Sequence, residues 1–521
     1  MNLSVVIPTR DRPILLRRLL LQLCDQTASG FEVCVVDDGS TPEAAAALSD
    51  LKLPYALTLL RQANSGAAAA RHAGALAARG ELLLFLDDDM QIGPDFVEQH
   101  RRAHRGGPAV VLGRIEADPG VAGMPLFERW NASLLDRKVE AILAGKLEPR
   151  GHLLFTGNAS MRRDDYLRVG GFDSSLAQSE DVELGLRLEK ARVQFRFCPE
   201  ASTRHGSDHT SVLKWRDRAR QYGRCDARIA RKHPGMRHAS PWRFVFELHP
   251  LLRPFLAAAL FAPDSAAAVA QLGARVAQLV DNIGLRGAAL SGTTLAYAID
   301  YFRGVREATG SVSAALSELV DFAGRFERSV LARALVELRE DQLVMRQYES
   351  RYGHASPSVG HLGSDAVHKI GLQMMAAVRL MHAFYDTGRI LTAKALSRLI
   401  RHVYGSDIHW EARLEPGVML VHGMGMAISR EAQVARGCIL FQHVTLGMGV
   451  DPVTRKTGAP TLERDVHVGP GATLIGPIRV GAGSKIMAGA VLTRSVPRDS
   501  VVEAPAPEVR ARISASVVSA T

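Results

Sequence analysis

The sequence predicts a multidomain fold: a Rossmann-like α/β domain with a doubly wound sheet, a helical connector, and a left-handed parallel β-helix. Three observations carry this. Short apolar runs alternate with helix-like segments up to about Arg231, strand signals then give way to Ala/Leu/Arg-rich stretches, and near the end an aliphatic residue recurs every six positions. A chain of 521 residues also exceeds what one hydrophobic core supports.

In the first region, Leu3 to Ile7, Phe31 to Val36 and Glu81 to Leu86 read as strands, and Ile14 to Leu23 as a helix between them. From about His233 to Tyr352, helical spacing dominates over Ala266 to Leu279 and Leu316 to Gln347, with few turn breakers. After the break at Tyr352 to Ser364, helical stretches Val367 to Asp386 and Leu391 to Val403 lead into the repeat. The expected domains are residues 1–232, 233–360 and 361–521. In the repeat, Ile428, Val434, Leu440 and Leu446 stand six apart, and Leu462, Val468, Leu474, Val480, Ile486 and Leu492 resume the spacing after a loop. Each face of a triangular β-helix takes one hexapeptide and turns one aliphatic inward, so this period is what the fold requires.

Composition narrows the setting. A net charge of +10 suits phosphate-bearing substrates, an anionic membrane face or an acidic polymer equally. The five cysteines, Cys24, Cys34, Cys198, Cys225 and Cys438, have no CxxC spacing, which argues against a disulfide framework or zinc knuckle. The opening residues run straight into a strand without a signal-peptide pattern, and the most apolar stretch, Leu251 to Ala262, carries Arg253 and Pro254 and is too short to span a bilayer. A cytoplasmic protein is expected, at most peripheral at the inner face of the membrane, with no nucleic-acid partner.

Two strand ends carry acids: Asp37-Asp38-Gly39-Ser40 and Asp87-Asp88-Asp89. In α/β folds, ligands bind at the carboxyl ends of strands, and acids there can grip a divalent metal bridging phosphates. Turn chemistry or helix capping would use the same residues. The whole set, however, resembles family 2 glycosyltransferases of the GT-A fold. Ser4 to Arg12 looks like the opening strand and nucleotide-contacting loop, with Thr9 in it, and Asn64-Ser65-Gly66 with Arg71 like the stretch before the metal motif. The resemblance implies that Asp38 meets the nucleobase, that Thr9, Arg71 and Asp87 bind the nucleotide-sugar, and that Asp89 contacts Mg2+ or Mn2+. Gly157 to Arg163 and Gly170-Gly171-Phe172-Asp173 look like the acceptor side, and Ser179-Glu180-Asp181 like the motif bearing the base, which implies inverting transfer with Asp181 taking the acceptor proton. Glu180 to Glu183 would also suit a plain acidic helix start. His205 resembles a histidine that completes the metal site in some relatives, with His209 competing for the role. The basic stretch Arg216 to Arg231 suits a lipid-linked phosphate, a membrane surface or a solvated helix face.

The repeat resembles hexapeptide-repeat acyltransferases, most closely the serine acetyltransferase branch, through Asp407-Ile408-His409, His422-Gly423-Met424-Gly425, Val444-Thr445-Leu446-Gly447 and Gly458-Ala459-Pro460-Thr461. This implies that His422 deprotonates the acceptor hydroxyl, that Asp407 orients it, and that acetyl-CoA runs along the coils of a homotrimer past Lys485, Ala488 and Gly489. Small residues there are also ordinary β-helix turn chemistry. Two departures stand out: the branch's acid before the histidine is Val421, and its Arg-His pair before a proline is Gly458-Ala459. A zwitterionic acceptor would lose its charge partners, whereas a neutral sugar hydroxyl needs none. The loop from Gly447 to Thr461 would shape the acceptor pocket. The expected protein is bifunctional, joining a sugar from a nucleotide-sugar to a saccharide or lipid-linked acceptor and an acetyl group to a sugar hydroxyl, as in exopolysaccharide biosynthesis. The alternatives are a glycosyltransferase with a trimerising scaffold and a fused serine O-acetyltransferase.

Overall fold

The computed structural model describes residues 2–206, 211–351 and 362–504, so His209 and residues 352–361 of the Tyr352 to Ser364 break lie outside the described residues, and the last three residues of that break begin a helix. The chain forms two compact units, Met1–Ser311 and Val312–Thr521.

The first unit runs β1 (Leu3–Thr9), α1 (Pro13–Cys24), β2 (Phe31–Asp37), β3 (Ala56–Arg61), α2 (Ala67–Ala77), β4 (Leu82–Leu86), β5 (Met90–Ile92), α3 (Phe96–His104), β6 (Val110–Ala117), α4 (Leu126–Leu143), β7 (Asn158–Arg162), α5 (Arg163–Arg168), α6 (Glu180–Lys190), β8 (Phe195–His205) and α7 (Val212–Lys232). Helices α8 (Arg243–Glu247), α9 (Arg253–Phe261), α10 (Pro263–Asn282) and α11 (Arg286–Thr309) complete it. One eight-stranded sheet has the order β3-β2-β1-β4-β7-β6-β8-β5. Strands β3, β2, β1 and β4 are parallel, and β7 is antiparallel to both β4 and β6. In β4 every side chain is buried, and in β1 all but Pro8, as strands covered on both faces require. Helix α1 buries Leu16, Leu19, Leu20 and Leu23, which recur at helical spacing.

The second unit begins with α12 (Val312–Phe326), α13 (Val330–Arg351), α14 (Leu362–His368), α15 (Ile370–Asp386) and α16 (Ile390–Tyr404). Short strands then wind into three parallel sheets. The first face holds Asp407–Ile408, Ala427–Ile428, Thr445–Gly447, Thr473–Ile475 and Val491–Leu492, and the third holds Met419–Leu420, Ile439–Leu440, His467–Val468, Lys485–Ile486 and Val501–Val502. Every aliphatic that carries the six-residue period is buried, which is the β-helix that the spacing predicts. The period also starts earlier, at Ile408, Leu414 and Leu420. Ile428 stands eight positions after Leu420, because the corner holding His422 is two longer than the others, and that breaks the register in the sequence.

Helix α15 is fastened to the coil by a buried ion pair. The Arg379 guanidinium donates to both carboxylate oxygens of Asp341 on α13, at 2.8 and 2.7 Å, and to the carbonyls of Leu414 and Glu415. Asp341 also accepts from the backbone N–H groups of Gly417 and Val418.

The helical stretch read as one connector is divided: its helices through α11 belong to the first unit, and α12 and α13 to the second. The run from Leu316 to Gln347 is two helices rather than one. Ser329 Oγ accepts from Ala332 N at 3.3 Å and starts α13, a cap signal at a junction, Glu327-Arg328-Ser329, that has no Gly or Pro.

Candidate functional site

In the first unit, the ends of β1, β2 and β4 bring Thr9, Asp37 and the Asp87-Asp88-Asp89 turn together. Register makes this so: Thr9 pairs with Asp37 across β1 and β2, and Val6 with Phe85 across β1 and β4. Asp37 accepts from the backbone N–H groups of Ser40 and Ala44, so this acid is turn chemistry. Asp38 holds the loop before α2, accepting from Gln62 Nε2, Ser65 N and Gly66 N at 2.7, 2.8 and 2.9 Å. Thr9 Oγ1 donates to Asp88 Oδ2 at 2.7 Å. Burial pushes the Asp88 carboxyl up to about 6, with Thr9 and Arg12 opposing it.

Asp87 points the other way, to Arg71 on α2. Arg71 is buried; its Nη2 donates to Asp87 Oδ1 at 2.6 Å and its Nη1 to Glu180 Oε1 at 2.9 Å. Gly157 clears the space: a Cβ there would lie 2.9 Å from Asp87 Oδ2.

Asp181 follows Glu180 in the first turn of α6. It is partly buried and accepts from Val182 N at 2.7 Å. Burial, then repulsion from Glu180, raises its carboxyl to about 7, against the pull of Arg71. A base poised there suits proton abstraction near neutrality. The preceding Ser179 is left-handed, with φ of 60°, and its Oγ donates to Asp226 on α7, which also accepts from Tyr301 Oη on α11 at 2.6 Å. This strained helix start, pinned by two helices, has no signature in the sequence.

Asp89 and His205 come together across the β5 and β8 pairing, with Nε2 and Oδ2 3.5 Å apart, and Arg12 Nη1 donates to the same Oδ2 at 2.9 Å. Burial opposes ionisation of Asp89, but His205 and Arg12 outweigh it and hold the carboxyl below its ordinary value. Asp89 Oδ1 is buried and accepts no hydrogen bond, an acceptor that a cation would satisfy. Among the described residues, no three His, Cys, Asp or Glu side chains converge as a metal cage.

The segment Asn158 to Arg162 is β7. Asn158 and Ser160 face inward to His100 and His104: His100 meets Asn158 Oδ1 at 2.9 Å and Ser160 Oγ at 2.8 Å, and His104 meets Ser160 Oγ at 2.9 Å. Burial lowers both imidazoles to about 4 and keeps them neutral. This polar network beneath the sheet is not evident from sequence.

In the second unit, the corners between the third and first faces stack along one edge. Hydrogen bonds from His443 N to Met424 O, Gly471 N to Gln442 O and Gly489 N to Pro470 O link successive corners. His422 is exposed at the first of them, with φ of 64°, and Ala488 and Gly489 occupy the last, just after Lys485. Ser406 ties the His422 corner down, donating from Oγ to Gly423 O at 2.6 Å and accepting from Met426 N at 3.1 Å. Gly425 leaves room for His443, a second left-handed histidine on this edge: a Cβ on Gly425 would lie 2.1 Å from its ring. The buried Oε1 of Gln442 accepts no hydrogen bond.

Asp407 stands beside this edge, its N–H bonded to Met426 O. Its carboxylate pairs with Arg401 at 2.5 Å and lines a cleft of about 510 Å³ with His409, Trp410 and Arg430. No hydrogen bond joins Asp407 to His422 among the described residues. The loop after Gly447 forms a small antiparallel ribbon, Gly449–Val450 against Thr457–Gly458.

Comparison with known proteins divides along the same lines. Residues 4–170 match the model of the glycosyl transferase family 2. The chain is 35% identical over 152 residues to serine acetyltransferase 2 of Arabidopsis thaliana, covering 28% of this chain and 45% of that protein. It is 39% identical over 132 residues to a serine acetyltransferase of Synechococcus elongatus, covering 25% and 53%. The chain spans about half the length of the curated relatives it matches. Among solved structures, a serine acetyltransferase of Neisseria gonorrhoeae is 29% identical with a TM-score of 0.29, covering 35% of this chain and 69% of that one. One chain therefore joins a glycosyl transferase family 2 domain at its start to a hexapeptide-repeat segment similar to serine acetyltransferases at its end.

Proposed function

We propose that the protein is a bifunctional enzyme of polysaccharide assembly, transferring a sugar from a nucleotide-sugar with inversion and an acetyl group from acetyl-CoA to a sugar hydroxyl. The observation that carries the first activity is the Arg71 bridge from Asp87 to Glu180, which sets Asp181 beside the acids at the strand ends. In this reading Thr9, Asp38, Arg71 and Asp87 contact the donor, and Asp181 receives the acceptor proton as the hydroxyl oxygen attacks the anomeric carbon. Asp89 and His205 would hold Mg2+ or Mn2+, which supplies charge neutralisation for the leaving diphosphate. The acceptor is a saccharide or a lipid-linked sugar, and the protein works in the cytoplasm at the inner face of the membrane. No helix among the described residues is long and apolar enough to cross a membrane.

For the second activity, His422 is the base and acetyl-CoA lies along the edge from Lys485, Ala488 and Gly489 toward it, in a homotrimer. Asp407 orients His422 once its bond to Arg401 is exchanged. The reading draws on the stacked corners and on the unsatisfied Gln442 acceptor. The Arg401 pairing of Asp407 favours a second reading, in which the coil is a trimerising scaffold. The loss of the Arg-His pair at Gly458-Ala459 counts against serine as acceptor. Within the two compact units, residues 1–232 are assigned to sugar transfer and 361–521 to acetyl transfer, and the helices of 233–360 fall on either side of the boundary after Ser311. A panel of nucleotide-sugars offered to wild type and D181N tests the first activity: product release confined to the wild type supports it, and equal turnover by D181N overturns it.

A further inference from the structure

Helix α10 is built the wrong way round for a helix at a watery surface. Its inward side carries the small residues Ala266, Ala270 and Ala277, all buried. The larger Val269, Leu272, Val276, Leu279 and Ile283 face out, Leu272 exposed to 62%, Leu279 to 64% and Ile283 to 72%. At the α-helical turn Val269, Leu272, Val276 and Leu279 fall within an arc of about 80°, along a helix about 30 Å long, and Ile283 follows directly at its C-terminal end. Single exposed aliphatics need no explanation, but a continuous stripe marks an interaction surface.

The charges around the stripe point to the partner. Arg275 stands at its margin, and Arg286 is exposed just beyond its end. From Ser265 to Val280 the helix carries no carboxylate. Asp264 in the first turn is the one exposed acid of the helix, and Asp281 is held by both terminal nitrogens of Arg129. The stripe itself has no aromatic or Met anchor and no hydrogen-bonding group, the features that concentrate energy in protein interfaces. Branched aliphatics with a cationic margin instead match the acyl and headgroup layers of a lipid surface.

We propose that this face of α10 docks on an anionic phospholipid bilayer, with the aliphatic stripe at the headgroup boundary and Arg275 and Arg286 against lipid phosphates. The inference rests on the membrane-peripheral part of the proposed function and is independent of either transfer reaction.

The test is sedimentation of the full chain with vesicles of phosphatidylcholine alone or mixed with phosphatidylglycerol. Wild type is expected to sediment with the mixed vesicles. L272Q/L279Q/I283Q should lose at least about tenfold in partitioning with no fall in Tm, since the three side chains are already exposed, and R275Q/R286Q should lose the preference for phosphatidylglycerol. Undiminished binding by the triple variant overturns this assignment but leaves the protein peripheral. If wild type binds neither vesicle, both the face and the peripheral reading fall. Self-association that the triple variant abolishes, without vesicle binding, assigns the face to a second copy and also overturns the inference.

Discussion

Arg71 donates to Glu180 across 109 positions of sequence, and its other terminal nitrogen holds Asp87, so one buried guanidinium joins the strand-end acids to the helix that starts with Glu180 and Asp181. Removing it would leave Asp87 and Glu180 facing each other without a cation. We expect R71A to lose sugar transfer, to lower Tm, and to move the pH midpoint of any residual activity upward, because Arg71 opposes the rise of the Asp181 pKa. A pH profile of residual turnover beside a thermal melt checks all three.

Asp181 titrates near neutrality because burial and Glu180 disfavour its charge. Sugar transfer should therefore fall as the pH drops through about 7, where the base becomes protonated. D181N should lose about 10²–10⁴-fold in kcat without losing stability, since the native fold disfavours the ionised carboxylate that the substitution removes. A loss of activity matched by a fall in Tm would mark Asp181 as structural.

His100 and His104 are held neutral, each at about 4, below the ordinary imidazole value. The sign follows: stability is fully present above about pH 6.5 and is lost as the pH falls toward 4, because the unfolded chain binds protons that the native network refuses. Denaturant unfolding at pH 7, 6 and 5 should show this loss, and H104Q should flatten it.

The Asp341 and Arg379 pair is buried on both sides. R379M should destabilise the second unit by about 3–5 kcal/mol by stranding Asp341, and adding D341L should recover much of it. Urea titrations of the three variants measure the difference.

Much of this was legible in the sequence. Parallel strands buried on both faces read as unbroken apolar runs, as Leu82 to Leu86 does, and the hexapeptide period survives because every coil needs its inward aliphatic. What stayed hidden depends on partners remote in sequence. Nothing near Arg71 names Glu180 as its acceptor, and nothing near Ser179 names Asp226 and Tyr301. Ile408 to Leu420 escaped the period because the His422 corner is longer than its neighbours. The placement of His443 escaped because only the stacking of coils brings it against Gly425.

The most direct test of the bifunctional account supplies labelled acetyl-CoA and a nucleotide-sugar together with saccharide, lipid-linked and serine acceptors to wild type, H422A and D181N. The account predicts both labels on one saccharide product with wild type, only the sugar label with H422A, and no sugar label with D181N. Acetyl label on serine, or acetyl transfer that persists in H422A, would contradict it.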